Sequence, residues 1–259
     1  MARLILALEA RLRDCRNVRT IGVRPNFGDY RPQEVQWIRE AETIYYPTAF
    51  YADLFDAVGK TTFPSYHNYK CVQDKIKQTA LLQLAGLPHP RTRVFYGRRQ
   101  QSKITRHFPF PCVAKEPRGS AMGRGVFFIG NHDDLEAYIQ DRHVAYIQQY
   151  IPLDRDIRVV VIGNRVVHAY WRIAADGEFR TNVARGGRIG LDPVPEPALA
   201  LAKRAARVCR WNDVGIDICR DGDGYTILEA NMKYGREGFR AAGIDYFKMM
   251  EQMIDDGQI

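Results

Sequence analysis

Apolar and polar positions change period several times along this chain, and each change marks an element. Short apolar runs rich in β-branched or aromatic residues recur as Thr20-Ile-Gly-Val, Thr43-Ile-Tyr-Tyr, Pro111-Cys-Val-Ala-Lys115 and Val126-Phe-Phe-Ile129, and these read as strands. Similar runs follow over 145–149, 157–162 and 165–171. The stretch from Val214 to Asn231 then reads as a hairpin around Asp221-Gly-Asp-Gly224. Helices are expected at the very start of the chain and from Ala52 to Val58, closed by Gly59. Others are expected over 70–85 ending at Gly86, after Asp133 and Asp134, over 196–210, and from Tyr246 onward. Such alternation predicts a mixed α/β (α+β) chain. With no repeat or low-complexity tract, turn signals set the expected divisions. These are a short N-terminal α/β segment over 1–69, a first α+β subdomain with a Gly-rich hairpin loop over 70–144, and a C-terminal subdomain over 145–259.

Composition narrows the class. The 259 residues, 46% hydrophobic and 26% charged, are enough to bury a sizeable core. The amino terminus is apolar only as far as Leu8 before Glu9, Arg11, Arg13 and Asp14, too short and too charged for a signal peptide. No stretch reaches membrane-spanning length. Five scattered cysteines without a CxxC spacing argue against a disulfide framework or a zinc site, so a reducing cytoplasm is expected. The formal charge of +8 favours anionic partners, but the basic residues mostly do not cluster. The densest run, Arg91 to Arg106, reads as a solvated surface before it reads as an anion patch.

Two segments carry candidate chemistry. Gly119-Ser120-Ala-Met-Gly123-Arg-Gly125 joins two strand-like runs, unlike a Walker loop or a dinucleotide fingerprint, which leads from strand to helix. A hairpin loop of this kind can fold its N–H groups over phosphates, with Lys115 on the preceding strand as a cation; it can equally be a structural turn. In the acidic hairpin, a turn centred near Asp223 sets Asp217 opposite Glu229, and strand alternation puts Glu229 and Asn231 on one face. Two opposed carboxylates in an apolar hairpin call for a cation between them. Two carboxylates and an amide suit Mg²⁺ bound together with a nucleotide. An EF-hand fails, since the twelfth position from Asp217 is Leu228. Between these segments lie Asp156-Ile-Arg158, Arg172, Arg180 and Asn182, and arginines there could neutralise a transferring phosphoryl group.

The ordered set Asp74-Lys75, Lys115 with its Gly-rich loop, Gln148-Gln149-Tyr150-Ile151, Asp156-Ile-Arg158, Arg172, Phe179-Arg-Thr-Asn182, Gly186-Gly187, Gly215-Ile-Asp217 and Glu229-Ala-Asn231 resembles the RimK-type branch of the ATP-grasp ligases. The likeness runs from about residue 70 to 255. It implies an ATP-grasp fold in which two α+β subdomains grip ATP. Lys75 and Lys115 would contact the phosphates, Gly119, Ser120, Gly123 and Gly125 would belong to the covering loop, Gln148 to Ile151 would hold adenine, and Asp156 would join the nucleotide site. Asp217, Glu229 and Asn231 would ligate Mg²⁺, or Mn²⁺ in its place, while Arg158, Arg172 and Asn182 would contact the phosphoryl group and an acyl phosphate. The implied reaction joins a carboxylate to an amine, on small molecules, peptides or a protein, in the cytoplasm. No membrane or nucleic-acid partner is expected, and a homo-oligomer is left open. An ATP-grasp phosphotransferase and a nucleotide-binding regulatory protein remain as alternatives. Two departures bear on substrates: the part before Lys75 is shorter than the family's first domain and begins with helical character, and Met232-Lys-Tyr-Gly235 replaces the usual small residue, Pro and Gly.

Overall fold

The computed structural model describes residues 4–71, 73–119, 125–175, 181 and 186–259. The first sheet is parallel, in the order β2-β1-β3-β4, from β1 (Leu6–Ala7), β2 (Arg19–Thr20), β3 (Thr43–Tyr45) and β4 (Thr61–Phe63). The helices α1 (Pro32–Glu40), α2 (Thr48–Ala57) and α3 (Tyr66–Lys70) connect and extend it. The expected helical start is therefore a strand: Leu6 and Ala7 are fully buried, in a strand paired on both sides. A central parallel strand reads as an unbroken apolar run, and in so short a segment such a run is indistinguishable from a buried helix. Leu6 and Leu8 pack toward α1 and α2, whereas Ile5 and Ala7 face the rest of the protein.

The next part opens with α4 (Lys75–Leu84), whose N-cap Asp74 accepts the Lys77 N–H at 2.9 Å and which is followed by Gly86 at φ +60°. The antiparallel sheet beyond it runs β5-β8-β6-β7, from β5 (Thr92–Tyr96), β6 (Cys112–Lys115), β7 (Val126–Ile129) and β8 (Val144–Gln149). Around it lie α5 (Gly97–Gln101), α6 (Ile104–His107) and α7 (His132–Ile139). The cap of α7 is Asn131, which accepts the Asp134 N–H, rather than the two aspartates the sequence suggested.

The third sheet, β11-β10-β9-β12-β13, is antiparallel and consists of β9 (Arg155–Ile162), β10 (Arg165–Ile173), β11 (Arg188–Gly190), β12 (Asp213–Asp221) and β13 (Gly224–Asn231). On one face lies α8 (Glu196–Val208), whose Ala198, Ala202, Ala205 and Ala206 stripe packs on Ile157, Val159, Val161, Val214 and Ile216. On the other, α9 (Glu237–Ala241), α10 (Tyr246–Asp255) and the first sheet cover Val160 and Ile162. Burial on both faces explains why β9 is nearly all apolar. Arg155, Asp156 and Arg158 are the exceptions: Arg155 is exposed, and the other two lie on the covered face, where Asp156 lines the cavity toward the second sheet. Among the described residues no helix is long and apolar enough to cross a membrane.

A buried aspartate ties the first sheet to the third. Asp213 accepts hydrogen bonds from Tyr46 Oη at 2.8 Å and Tyr234 Oη at 2.5 Å, and burial, its largest influence, pushes its pKa up against the opposing charge of Arg11. Truncation of the central strand should show how much this packing matters: Leu6→Ala is expected to cost about 2–5 kcal/mol in urea unfolding. Leu84→Ala, at a position 86% exposed, should cost less than about 0.5 kcal/mol.

Candidate functional site

The acidic hairpin is built from a two-residue turn, Gly222-Asp223, with Gly222 at φ +57° and Asp221 paired with Gly224. A turn centred there would set Asp217 opposite Leu228. A β-bulge beyond Ile218 and Ile227 adds one residue on β13 and restores the opposition of Asp217 to Glu229. The same bulge leaves Leu228 and Glu229 both lining one cavity. Sequence reasoning reached the right pair with the turn half a residue late, because the bulge is invisible in the pattern.

Sheet register assembles the charges around Asp217. Arg158 stands opposite Asp217 across β9 and β12, and Arg172 opposite Asp156 across β10 and β9. Asp217 accepts from Arg158 through Nε, and through Nη2 at 2.9 Å, while Arg172 Nη2 lies 2.9 Å away and Asn231 Nδ2 donates at 3.0 Å. Arg172 also donates to both Asp156 oxygens at 2.7 and 2.6 Å, and Thr181 Oγ1 donates to the same carboxylate. All four charged side chains are buried. Burial alone would raise the Asp217 pKa, but the charges of Arg158 and Arg172 outweigh it and hold the carboxyl below its ordinary value. For Arg172 burial works downward and the two aspartates prevail, raising its pKa further. The cluster has close access because residue 215 is glycine. A Cβ there would meet Arg158 Cδ and Tyr234 Cβ, both at 2.9 Å.

Cations from the other side complete the cavity. Lys75, at the first turn of α4, is buried and reaches Glu229 Oε1 at 3.3 Å. Lys115 ends β6 and faces the same cavity; burial pushes its pKa down, Glu229 opposes this, and Lys75 adds to it. Gln148, Gln149, Tyr150 and Ile151 line the far wall beside Val113, Val126 and Leu153, and the Gln148 side chain donates to Thr92 Oγ1 at 2.9 Å. Gly119 (φ +69°) and Gly125 (φ +70°) stand where the chain leaves and rejoins the Gly-rich loop. Ser120, Gly123, Arg180 and Asn182 lie outside the described residues.

One organising residue escaped the sequence reading. Gln78 Nε2 donates to Ala230 O at 2.7 Å while its Oε1 accepts from Ala230 N–H at 2.8 Å, so α4 grips β13 between Glu229 and Asn231. Its only sequence signal is its place one helical turn from Lys75. Thr181 was likewise missed, being a bystander in the Phe179-to-Asn182 motif.

Comparison with known proteins gives a consistent result. A family profile described as the RimK-like ATP-grasp domain matches residues 72–254. A protein of Alkalilimnicola ehrlichii named probable alpha-L-glutamate ligase is 30% identical over 210 residues, covering 78% of this chain and 69% of that one. The matched segments take in 58 to 69% of such relatives' own lengths. Among solved structures, the RimK domain ATP-grasp protein of Sphaerobacter thermophilus superposes with a TM-score of 0.71 at 18% identity, covering 96% of this chain and 98% of that one. The ATP-grasp ligase PsnB, complexed with a minimal precursor, gives 0.72 at 18% identity, covering 100% and 99%.

Two stability measurements test this geometry. Gly215→Ala is expected to cost about 1–3 kcal/mol by overpacking Arg158 and Tyr234, read from urea midpoints. The depressed Asp217 pKa contributes stability that is full above the unfolded carboxyl value of about 3.9 and is lost as pH falls through the lower folded value. The stability gap between wild type and Asp217→Asn should therefore shrink as the pH falls below about 4. A gap that stays constant would refute the ionised cluster.

Proposed function

The chain belongs to the RimK-like ATP-grasp family, and on that premise we propose that it is an ATP- and divalent-metal-dependent ligase that joins a carboxylate to an amine through an acyl phosphate. The observation that carries this reading is the convergence of Lys115, Arg172, Asp217 and Glu229 on one cavity walled by Gln148 to Ile151, with Lys75, Arg158 and Asn231 bonded to its carboxylates from behind. Asp156, Asp217 and Glu229 against Arg158, Arg172, Lys75 and Lys115 give four cations to three carboxylates. That excess of one positive charge favours a polyphosphate.

The donor set fits a hard cation. Asp217 and Glu229, opposite one another, and the amide oxygen of Asn231 offer oxygen ligands, which suits Mg²⁺, or Mn²⁺, held by one or two carboxylates with phosphate oxygens. Such an ion, when bound, would screen the phosphate charge against the incoming carboxylate. The chain's own residues then have separate tasks. Lys75 and Lys115 hold phosphate oxygens, the backbone of 148–151 with its apolar neighbours holds the base, and Asp156 holds Arg172 in place. Arg158 and Arg172 stabilise charge on the transferring phosphoryl group. A substrate carboxylate oxygen forms a bond to the γ-phosphorus as the bond to ADP breaks; the amine then attacks the acyl carbon, phosphate leaves, and the nitrogen loses a proton to give the amide. Positioning and charge stabilisation account for such a reaction without a nucleophilic side chain.

L-Glutamate, the amino acid in the relatives' names, is the first amine to offer; peptides and protein termini follow. The five buried free cysteines support a reducing, cytoplasmic setting. The test is to follow ATP with Mg²⁺ and pooled amino acids and peptides, identifying nucleotide, phosphate and new amides by mass spectrometry. ADP, phosphate and an amide appearing together are expected; a phosphorylated product without an amine requirement would replace the ligase by a phosphotransferase. Glu229→Ala should lower turnover at least about 100-fold, and Lys115→Ala should weaken ATP binding in a folded protein. Full activity in the first variant, or unchanged affinity in the second, would refute the corresponding role.

A further inference from the structure

Strand β13 is an edge of the third sheet, so one row of its N–H and C=O groups has no neighbouring strand to pair with. Two groups from the α4 segment serve in place of a strand. The Pro88 carbonyl, in the loop that follows α4, accepts the Ile227 N–H at 2.9 Å. Gln78 closes Ala230, donating from Nε2 to its carbonyl at 2.7 Å and accepting its N–H on Oε1 at 2.8 Å. A carboxamide used this way presents the same donor and acceptor as a peptide group. Gln78 and Ala230 are only 6% and 5% exposed, so solvent does not stand ready to replace these bonds.

Between the two anchors lies the bulge. Groups on one edge of a regular strand recur every second residue, whereas Ile227 and Ala230 are three apart, and Leu228 is the extra residue between them. The bulge is what sets Glu229 opposite Asp217 and Ala230 opposite Ile216. An extra residue in an edge strand is fixed only by what holds the strand on either side of it. Displaced past Ala230, it would leave Leu228 opposite Asp217 and set Glu229 opposite Ile216, on the face that α8 covers. Clamping both groups of Ala230 outward blocks that shift. The same face of α4 carries Lys75, three residues before Gln78, whose Nζ reaches Glu229 Oε1 at 3.3 Å. One helix face thus fixes two consecutive residues of β13.

We propose that Gln78 is a positioning residue for the cation: by clamping Ala230 it pins the bulge at Leu228 and keeps the Glu229 carboxylate opposite Asp217, where the two can share a metal ion. Both polar atoms of Gln78 are committed to Ala230, so it acts through the strand and not on the ligand. The proposal rests on the metal assignment in the ligase reading and deepens it: cation affinity is set by a helix outside the hairpin that supplies the ligands.

Electron paramagnetic resonance of Mn²⁺ titrated into the protein with ADP tests it, since bound Mn²⁺ is read without turnover. Gln78→Met should weaken Mn²⁺ by about tenfold or more, while ADP binding without metal changes less than about threefold. Leu82→Ala, on the same helix but in the hydrophobic cluster, controls for stability lost without the clamp. At a comparable or larger fall in urea midpoint it should leave Mn²⁺ affinity within about twofold. Unchanged Mn²⁺ affinity in folded Gln78→Met, or an equal loss in Leu82→Ala, overturns the role. Should Gln78→Met unfold, Gln78→Ser, with room for a water to serve Ala230, decides the matter by the same readout. If wild type binds no Mn²⁺ with ADP, the metal assignment and this proposal fall together. Mn²⁺ binding that Gln78→Met weakens, with no amide formed from any amine offered, would instead refute the ligase reading and leave the role of Gln78 standing.

Discussion

The arrangement of the site depends on one carboxylate shared by two arginines. Asp217 sits at the middle of a hairpin strand, where Arg158 from β9 and Arg172 from β10 both reach it, and Asp156 holds Arg172 from behind. Each of these buried charges would be costly alone. Together they are neutral and hydrogen-bonded to one another, so removing one member leaves an unpaired charge in the interior. The sheet register is thereby constrained as well, because a one-residue slip of β12 against β9 would turn Asp217 to the α8 side and leave Arg158 without its partner.

A second constraint joins the two sides of the cavity. Lys75 and Gln78 lie one turn apart on α4, and both engage β13: one meets the Glu229 carboxylate, the other closes both hydrogen-bonding groups of Ala230. Helix α4 also contributes Leu82 to the hydrophobic cluster of the third sheet. A lysine fixed this way has little side-chain freedom left to lose. Lys115 reaches the cavity from β6, and its depressed pKa reflects the same shortage of solvent.

Much of this was legible in the sequence, and the reasons differ by element. Glycines and acidic turns mark the hairpin, strand alternation puts Glu229 and Asn231 on one face, and the spacing of Lys75, Lys115, Arg158 and Arg172 survives translation into space because sheet register converts order into proximity. The bulge at Leu228 was not legible, since it arises from how two strands fit and not from either strand's pattern. Nor was Gln78, whose function lies in a contact 152 residues away. The first strand was misread because the five consecutive apolar residues Leu4 to Leu8 carry no period; only its place between two parallel neighbours makes it a strand.

The two ends of β12 show how one strand face can hold two different charge environments. Asp213 and Asp217 project from the same strand and the same face, yet they receive different partners. Asp217 receives two arginines of the third sheet itself, whereas Asp213 receives tyrosine hydroxyls, one of them from Tyr46 of the first sheet. Tyrosine can satisfy a buried carboxylate without neutralising it, so the charge of Arg11 nearby is moderated and not consumed. Substitution within the first sheet can therefore disturb Asp213 while the arginines and acids around Asp217 keep their geometry, because among the described residues the two ends of β12 share a backbone but no charged partner.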